Sequence, residues 1–271
     1  MLVAVTITLR REEPSDHHAV ELLTREAFWG TEGPGCNEHL LVHRLRTAES
    51  FVPELDWVAE VDGVVVGHVI YSRARVVGPE RSWEVLTFGP LTVHPTHQTA
   101  GIGGALMRHT LLEAATLGHR AVVVYGHPDY YPRFGFVRGA EVGITAPGGG
   151  TFDALMALAL VEGGLDGVHG EFHEDDVFRI DPTDTDAFDR TFPAKAPAVL
   201  TPVAALEGEV PAGVLDALRA HGAVHLEDLH RFSSREVAAW EGVGATGRDA
   251  LHGALRERGV RWGRIQWARG P

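Results

Sequence analysis

Leu91-Thr92-Val93-His94-Pro95-Thr96-His97-Gln98-Thr99-Ala100-Gly101-Ile102-Gly103-Gly104-Ala105-Leu106 runs from a strand through a polar loop into a helix. The glycines have a physical reason. Without side chains, Gly101, Gly103 and Gly104 let backbone N–H groups at the helix start approach a polyanion, and the helix dipole favours negative charge there. Gln98 adds a neutral donor and Thr99 a hydroxyl, so a diphosphate would fit. A Gly-x-Gly at a helix start also serves simple close packing, so the glycines alone decide nothing. No Lys-Ser/Thr pair follows them, which counts against a P-loop, and the spacing is wrong for a dinucleotide fingerprint.

Working outward, Val85 to Val93 reads as a strand interrupted at Gly89-Pro90, where the missing proline N–H predicts a bulge or splay. Gly101 to Leu117 reads as a helix with Leu106, Met107, Thr110, Leu111 and Ala114 on one side, ended by Gly118. Ala121 to Tyr125 is a short apolar run suited to a buried strand. A helix is expected around Asp129 to Phe134. Extended segments are expected at Val137 and at 142–144, and a last long strand over 153–161. Upstream, Met1 to Leu9 reads as a first strand, and Ala19, Val20, Leu23, Ala27 and Phe28 recur at helical spacing. Asn37 is placed to cap a second helix carrying Leu40, Leu41 and Leu45. Asp56 to Val61 and Val64 to Val77 flank Asp62-Gly63, a hairpin turn dipeptide.

The chain of 271 residues is 44% hydrophobic and 23% charged, ordinary values for a soluble globular protein of one or two domains. A single cysteine, Cys36, excludes an internal disulfide, zinc-type Cys/His spacings are absent, and a reducing, cytoplasmic setting fits best. The apolar start meets Arg10, Arg11, Glu12 and Glu13 too soon for a signal peptide or membrane span. The net charge of −13 argues against a surface that grips nucleic acid or an anionic membrane throughout. It is unevenly spread: residues 196–271 hold nine Arg and nine acidic residues, so residues 1–195, with 15 basic and 28 acidic, carry all of it. Pro193, Pro197, Pro202 and Pro211 crowd together as in a linker, which divides the chain into domains of 1–192 and 193–271.

Gln98-x-x-Gly101-x-Gly103 after Leu91-Thr92-Val93 resembles the acetyl-CoA pyrophosphate loop of the GNAT family. Tyr130-Tyr131-Pro132-Arg133-Phe134-Gly135-Phe136 is similar to the family's Tyr-x-x-x-Gly-Phe segment, in the same order and spacing. The resemblance covers roughly residues 1–192, including Leu165-Asp166-Gly167-Val168 and Phe192-Pro193. It implies an α/β fold whose mixed sheet splays between its fourth and fifth strands to admit the pantetheine arm. It also implies acetyl-CoA as cosubstrate, without a metal, held by Leu91, Thr92, Val93, Gln98, Thr99, Ala100, Gly101, Ile102, Gly103 and Gly104. Many relatives dimerise, but nothing in the spacing here requires a homodimer.

Direct acyl transfer needs an acid for the departing sulfur and a base for the amine. Tyr131 matches the family's acid. Tyr130 is expected to pack or to touch substrate, with the two roles open to exchange. The base is undecided between Glu84, His127 and water. His68 and His94 have the right unperturbed pKa, though packing or surface roles suit most histidines. Glu38 is placed to face an amine, or else solvent. Cys36 reads as inert, with no activating neighbour in sequence. The acceptor is a primary amine, small molecule or protein, and the acidic first domain favours a cationic one.

Residues 198–262 resemble the helix-hairpin-helix domains of bacterial RNA polymerase alpha subunits and repair proteins, with Gly242-Val243-Gly244-Ala245-Thr246-Gly247 as the hairpin. That makes a small all-α domain the second unit. A Lys is missing after the second glycine and the charge is zero, which weakens a nucleic-acid role. Arg248, Arg256, Arg258, Arg261 and Arg264 remain as a candidate phosphate-binding stripe. Trp240, Trp262 and Trp267 read as core or interface aromatics. The rival to an enzyme is therefore a nucleic-acid-associated or protein-interaction module with an acyl-CoA-sensing domain.

Overall fold

The computed structural model describes residues 7–31, 33–258 and 262. Residues 1–6 of the expected first strand, together with Arg261, Arg264 and Trp267, lie outside the described residues. One mixed sheet organises the first two thirds of the chain. Its strands are β1 (Ile7–Arg11), β2 (Trp57–Val61), β3 (Val64–Val77), β4 (Ser82–Val93), β5 (Ala121–Tyr125), β6 (Val137–Arg138), β7 (Ile144–Thr145), β8 (Leu155–Ala159) and β9 (Gly170–His173). They run β1-β2-β3-β4-β5-β8-β6, with β9 on the outer part of β3 and β7 on β9. Asp62 (φ 52°) and Gly63 (φ 75°) make the left-handed turn joining β2 to β3, as the dipeptide predicts.

Alternation along the strands feeds two layers. On one face Ala59, Val69, Leu86, Phe88, Val93, Val122 and Val124 pack with Ile102, Leu106, Met107 and Ala114 of α3 (Ile102–Thr116). On the other, Val58 and Ile70 meet Val20 of α1 (His17–Phe28) and Val42 and Leu45 of α2 (Glu38–Leu45). Gly67 permits the closest approach: a Cβ there would sit 2.8 Å from Ile102 Cγ2. Asn37 precedes α2 but caps nothing with its side chain; the Glu38 carboxylate accepts the Asn37 N–H instead, at 3.0 Å.

Around Gly89-Pro90 the sheet departs from regularity, as the missing proline N–H requires. Val69 faces Leu91 and Tyr71 faces Phe88, so Ile70 alone opposes Gly89 and Pro90. The Gly89-Pro90 peptide is cis. β4 and β5 register only at Leu86 and Val122 before parting. This is the splay the resemblance implies.

Beyond β9, α4 (Pro182–Asp189), started by Asp181 accepting the Thr183 N–H, lies against α1 and α2. Arg25 meets Asp189, Lys195 meets Glu26, and the Trp29 indole donates to Ala196 O at 3.0 Å. The remaining helices, α5 (Ala212–Ala220), α6 (Ser234–Ala239) and α7 (Gly244–Glu257), bury Val214, Leu218, Val237, Leu251 and Leu255 against one another in a cluster separate from the sheet's. Ser233 Oγ (2.8 Å), Arg235 (3.4 Å) and Arg138 Nε (2.8 Å) converge on Asp153 at the junction. Among the described residues no helix is long and apolar enough to cross a membrane.

Candidate active site

The loop between β4 and α3 is built by backbone conformation. Thr99 (φ 73°) and Gly101 (φ 84°) both turn left-handed, and Gly101 stands as the N-cap of α3 without a side-chain cap. The N–H groups of Ile102, Gly103 and Gly104 therefore open the helix with no intrahelical acceptor. Gln98 Nε2 donates to Val93 O at 3.4 Å, tying the loop to the strand end. A Cβ at Gly103 would lie 3.1 Å from Tyr130 Oη and 3.4 Å from Val93 Cγ2, and one at Gly104 would lie 3.3 Å from Arg108 Nη1. The expected cofactor residues Leu91, Thr92, Val93, Gln98, Thr99, Ala100, Gly101, Ile102, Gly103 and Gly104 thus follow one another from the bulge to the helix start, with Thr92 and Ile102 fully buried. Thr92 differs from its neighbours: its buried hydroxyl lies 3.3 Å from Thr24 Oγ1 on the α1 side.

Two cations stand near this helix start to which the motif reading gives no role. Arg108 follows Gly104 by four residues and so shares its face of the helix. The Arg133 guanidinium carbon is 4.5 Å from the centre of the Tyr130 ring. Burial pushes the Tyr130 phenol up, while Arg133 and Arg108 pull it back. Arginine suits phosphate oxygens, and the i, i+4 relation to Gly104 is the signal that finds Arg108 from sequence.

Tyr131 sits beneath the splay. Its ring packs on Phe88 at 5.6 Å and Phe136 at 5.5 Å, and Tyr130 stands perpendicular to it at 5.0 Å. Gly126 leaves no room for a Cβ against this ring. Burial first, then Tyr130 and Tyr71, hold the phenol well above its ordinary range, so it carries its proton at neutral pH.

The candidate bases divide. Glu84 is exposed on β4, opposite Arg75 and five residues before Gly89. His127 is buried, and its Nδ1 accepts the Asp129 N–H at 3.1 Å while its carbonyl accepts the Tyr130 N–H at 2.9 Å, which makes it a builder of the Tyr130–Tyr131 turn. His68 is fully buried on the helix-covered face, its Nε2 2.8 Å from Asp56 Oδ1, and burial pushes its pKa down to about 4. His94 Nδ1 meets Thr96 Oγ1 at 2.8 Å in the loop. Glu38 accepts from the Cys36 thiol at 3.1 Å. Cys36 is buried and burial raises its thiol pKa well above the ordinary value, which agrees with an inert residue.

The sequence model of the Acetyltransferase (GNAT) domain matches residues 8–139. The uncharacterized N-acetyltransferase YhbS of Escherichia coli K12 is 32% identical over 169 residues, which cover 61% of this chain and 96% of that protein. YjhQ of the same strain, also an uncharacterized N-acetyltransferase, is 38% identical over 96 residues; the alignment takes in 35% of this chain and about half (53%) of the length of YjhQ. Two solved structures share the fold. The GNAT family N-acetyltransferase YhbS from Escherichia coli in complex with CoA superposes with a TM-score of 0.59 at 28% identity, covering 66% of this chain and 96% of that one. A GNAT family acetyltransferase from Brucella melitensis in complex with acetyl-CoA gives 0.51 at 30% identity, covering 64% and 98%.

Proposed function

Because this chain belongs to the GNAT family of N-acetyltransferases, we propose that it moves the acetyl group of acetyl-CoA directly to a primary amine, using the surface from Leu91 to Gly104 as cofactor cradle and Tyr131 as acid. The observation that carries this reading is the juxtaposition of three features: the bulge at Gly89-Pro90, the side-chain-free start of α3, and a protonated Tyr131 beneath the gap between β4 and β5. The diphosphate rests on the N–H groups of Ile102, Gly103 and Gly104 with Arg108 beside it. The pantetheine arm pairs with backbone groups of Leu91 and Val93 as an added strand would. The acetyl carbonyl is polarised by backbone N–H donors next to the bulge. The attacking nitrogen forms the new C–N bond and gives up a proton to a base, the C–S bond breaks, and the Tyr131 proton goes to the sulfur.

Calorimetric titration with acetyl-CoA tests the cradle. Micromolar binding by the native protein, lost in the Gly101→Trp, Gly103→Trp double variant, is the expected result, and no binding by the native protein defeats the reading.

The described part of residues 193–271 fits a separate helical module that packs on the acetyltransferase domain through Asp153. The observation in favour is that Arg248 and Arg258, members of the candidate phosphate stripe, already meet Asp249 at 2.8 Å and Glu209 at 2.6 Å. A gel shift with salt titration checks this: binding to DNA or RNA that weakens with salt and is lost in Arg248→Ala, Arg256→Ala would return weight to the nucleic-acid role.

A further inference from the structure

Chemistry-bearing groups also gather on the face of the sheet opposite Tyr131, in a part of the chain that the motif reading leaves unused. β9 pairs with β3 so that Phe172 opposes Val76 and His173 opposes Arg75; Glu174 follows the last paired residue and acts on the Tyr125 phenol by its charge. Phe172 faces the side of the sheet that Ala74, Val76, Val85 and Val123 fill with it. Tyr125, the last residue of β5 where the gap to β4 opens, touches the same group: its ring lies 5.4 Å from Phe172 and stacks on Phe152 at 5.7 Å. The chain then advances along β3 toward the bulge, and Phe178 Cε1 comes within 3.6 Å of where a Gly89 Cβ would be.

Between Glu174 and the bulge lie two hydroxyls. Ser72 and Thr87 face each other across β3 and β4, one step nearer Gly89 than the Ala74–Val85 pair. Both are fully buried, and neither hydroxyl has a hydrogen-bond partner among the described residues. Buried hydroxyls are seldom left so, and a pair of them next to a reacting centre is suited to a proton path. The charged neighbours of Glu174 are otherwise engaged: His173 with Glu171 at 3.4 Å, and Asp175 accepting the Val177 N–H at 2.9 Å.

We propose that Glu174 is the general base toward the acceptor amine, that the Ser72 and Thr87 hydroxyls pass the proton to it, and that the exposed, stacked pair Tyr125 and Phe152, backed by the buried Phe172, receives a cationic amine. The proposal rests on the acetyl-CoA reading above and supplies what that reading lacks, a base. Aromatic faces beside a carboxylate suit an ammonium group. The bound ammonium first gives one proton to Glu174, which passes it to solvent, and the neutral amine attacks; a second proton leaves the nitrogen for Glu174 as the N–C bond forms. One leaves Tyr131 for sulfur as the C–S bond breaks, and solvent returns the Glu174 proton to the tyrosinate. Burial pushes the Glu174 carboxyl up to about 7, and Tyr125, raised to about 12 by burial and then by the charge of Glu174, is the titratable group that faces it. A base with a pKa near the working pH is the effective one.

The test measures CoA release from acetyl-CoA across neutral pH, with benzylamine as a generic acceptor and with water alone, beside calorimetric acetyl-CoA affinity. Native protein should show release that rises with a midpoint near 7. Glu174→Gln should release CoA about 100-fold more slowly and without that midpoint, Glu174→Asp should recover part of the rate, and Thr87→Val should lie between native and Gln. Acetyl-CoA affinity should be unchanged in all three. Undiminished release by Glu174→Gln overturns the assignment. So does native protein that binds acetyl-CoA yet releases no CoA to amine or water at any pH. Failure of native protein to bind acetyl-CoA is a different result, which refutes the cofactor reading itself.

Discussion

Arg25 and Asp189 close two hydrogen bonds, Nε to Oδ1 at 2.6 Å and Nη2 to Oδ2 at 2.9 Å, across 164 positions of chain. Arg25 is 1% exposed, with its guanidinium carbon 4.5 Å from the centre of the Trp29 ring. The pair fastens α4 to the helix layer. Asp189→Ala leaves a buried cation without its carboxylate, a loss of about 3–5 kcal/mol, which corresponds to roughly 10 °C in Tm. Thermal denaturation followed by circular dichroism measures this. Arg25→Leu combined with Asp189→Ala should recover much of the difference, because it removes the uncompensated charge.

Gly101 and Gly103 should fail in different ways. Gly101 has φ 84° and open space around its missing Cβ, so Gly101→Ala strains the backbone by about 1 kcal/mol without blocking the loop. Gly103→Val drives a side chain at Tyr130 Oη and Val93 Cγ2. Differential scanning fluorimetry with and without acetyl-CoA separates them: the first lowers Tm by about 3 °C and keeps the ligand-induced shift, and the second loses the shift.

Tyr131→Phe should retain the packing on Phe88 and Phe136 and so bind acetyl-CoA within about twofold of native, while CoA release falls by about 100-fold. Equal losses in binding and turnover would refute the role of acid.

Stability should depend on pH through Glu174. Its folded pKa, about 7, stands above the ordinary 4.5 of the unfolded chain. The contribution of the protonated form is therefore complete below 4.5 and disappears as pH rises through about 7. Glu174→Gln stays neutral throughout, so its Tm minus that of the native protein should grow from acidic to mildly alkaline pH. A constant difference would mean that the carboxyl titrates normally.

Residues of the central segment were readable because each carries its own physical reason: Gly101 for the left-handed cap, Pro90 for the interrupted ladder, Asp62-Gly63 for the hairpin. The elements that sequence reading passed over lack such local reasons. β9 is four residues long, with the composition Gly-Glu-Phe-His, and forms because β3 and β7 offer it partners. α5 hides in a stretch that its prolines make look like a linker, though Pro211 immediately precedes the helix. α4 did show a signal, Asp181-Pro182, the cap and first-turn pair. In the candidate site, Tyr131 and the glycines carry a motif; Arg108 has none and went unread, though its i, i+4 relation to Gly104 places it on the same helix face. The proposed base Glu174 carries no motif at all, and only the fold, which sets the short β9 on β3 just before it, brings it near Tyr125.

The parting of β4 from β5 has a thermodynamic side. A sheet interrupted in its middle contains two inner edges, whose amides lack the neighbours that normally make central strands the slowest to exchange with solvent. Anything that pairs with Leu91 and Val93 mends that interruption and ties the halves of the protein into one cooperative unit. On the acetyl-CoA reading, then, saturation with cosubstrate and completion of the sheet between β4 and β5 would be the same event.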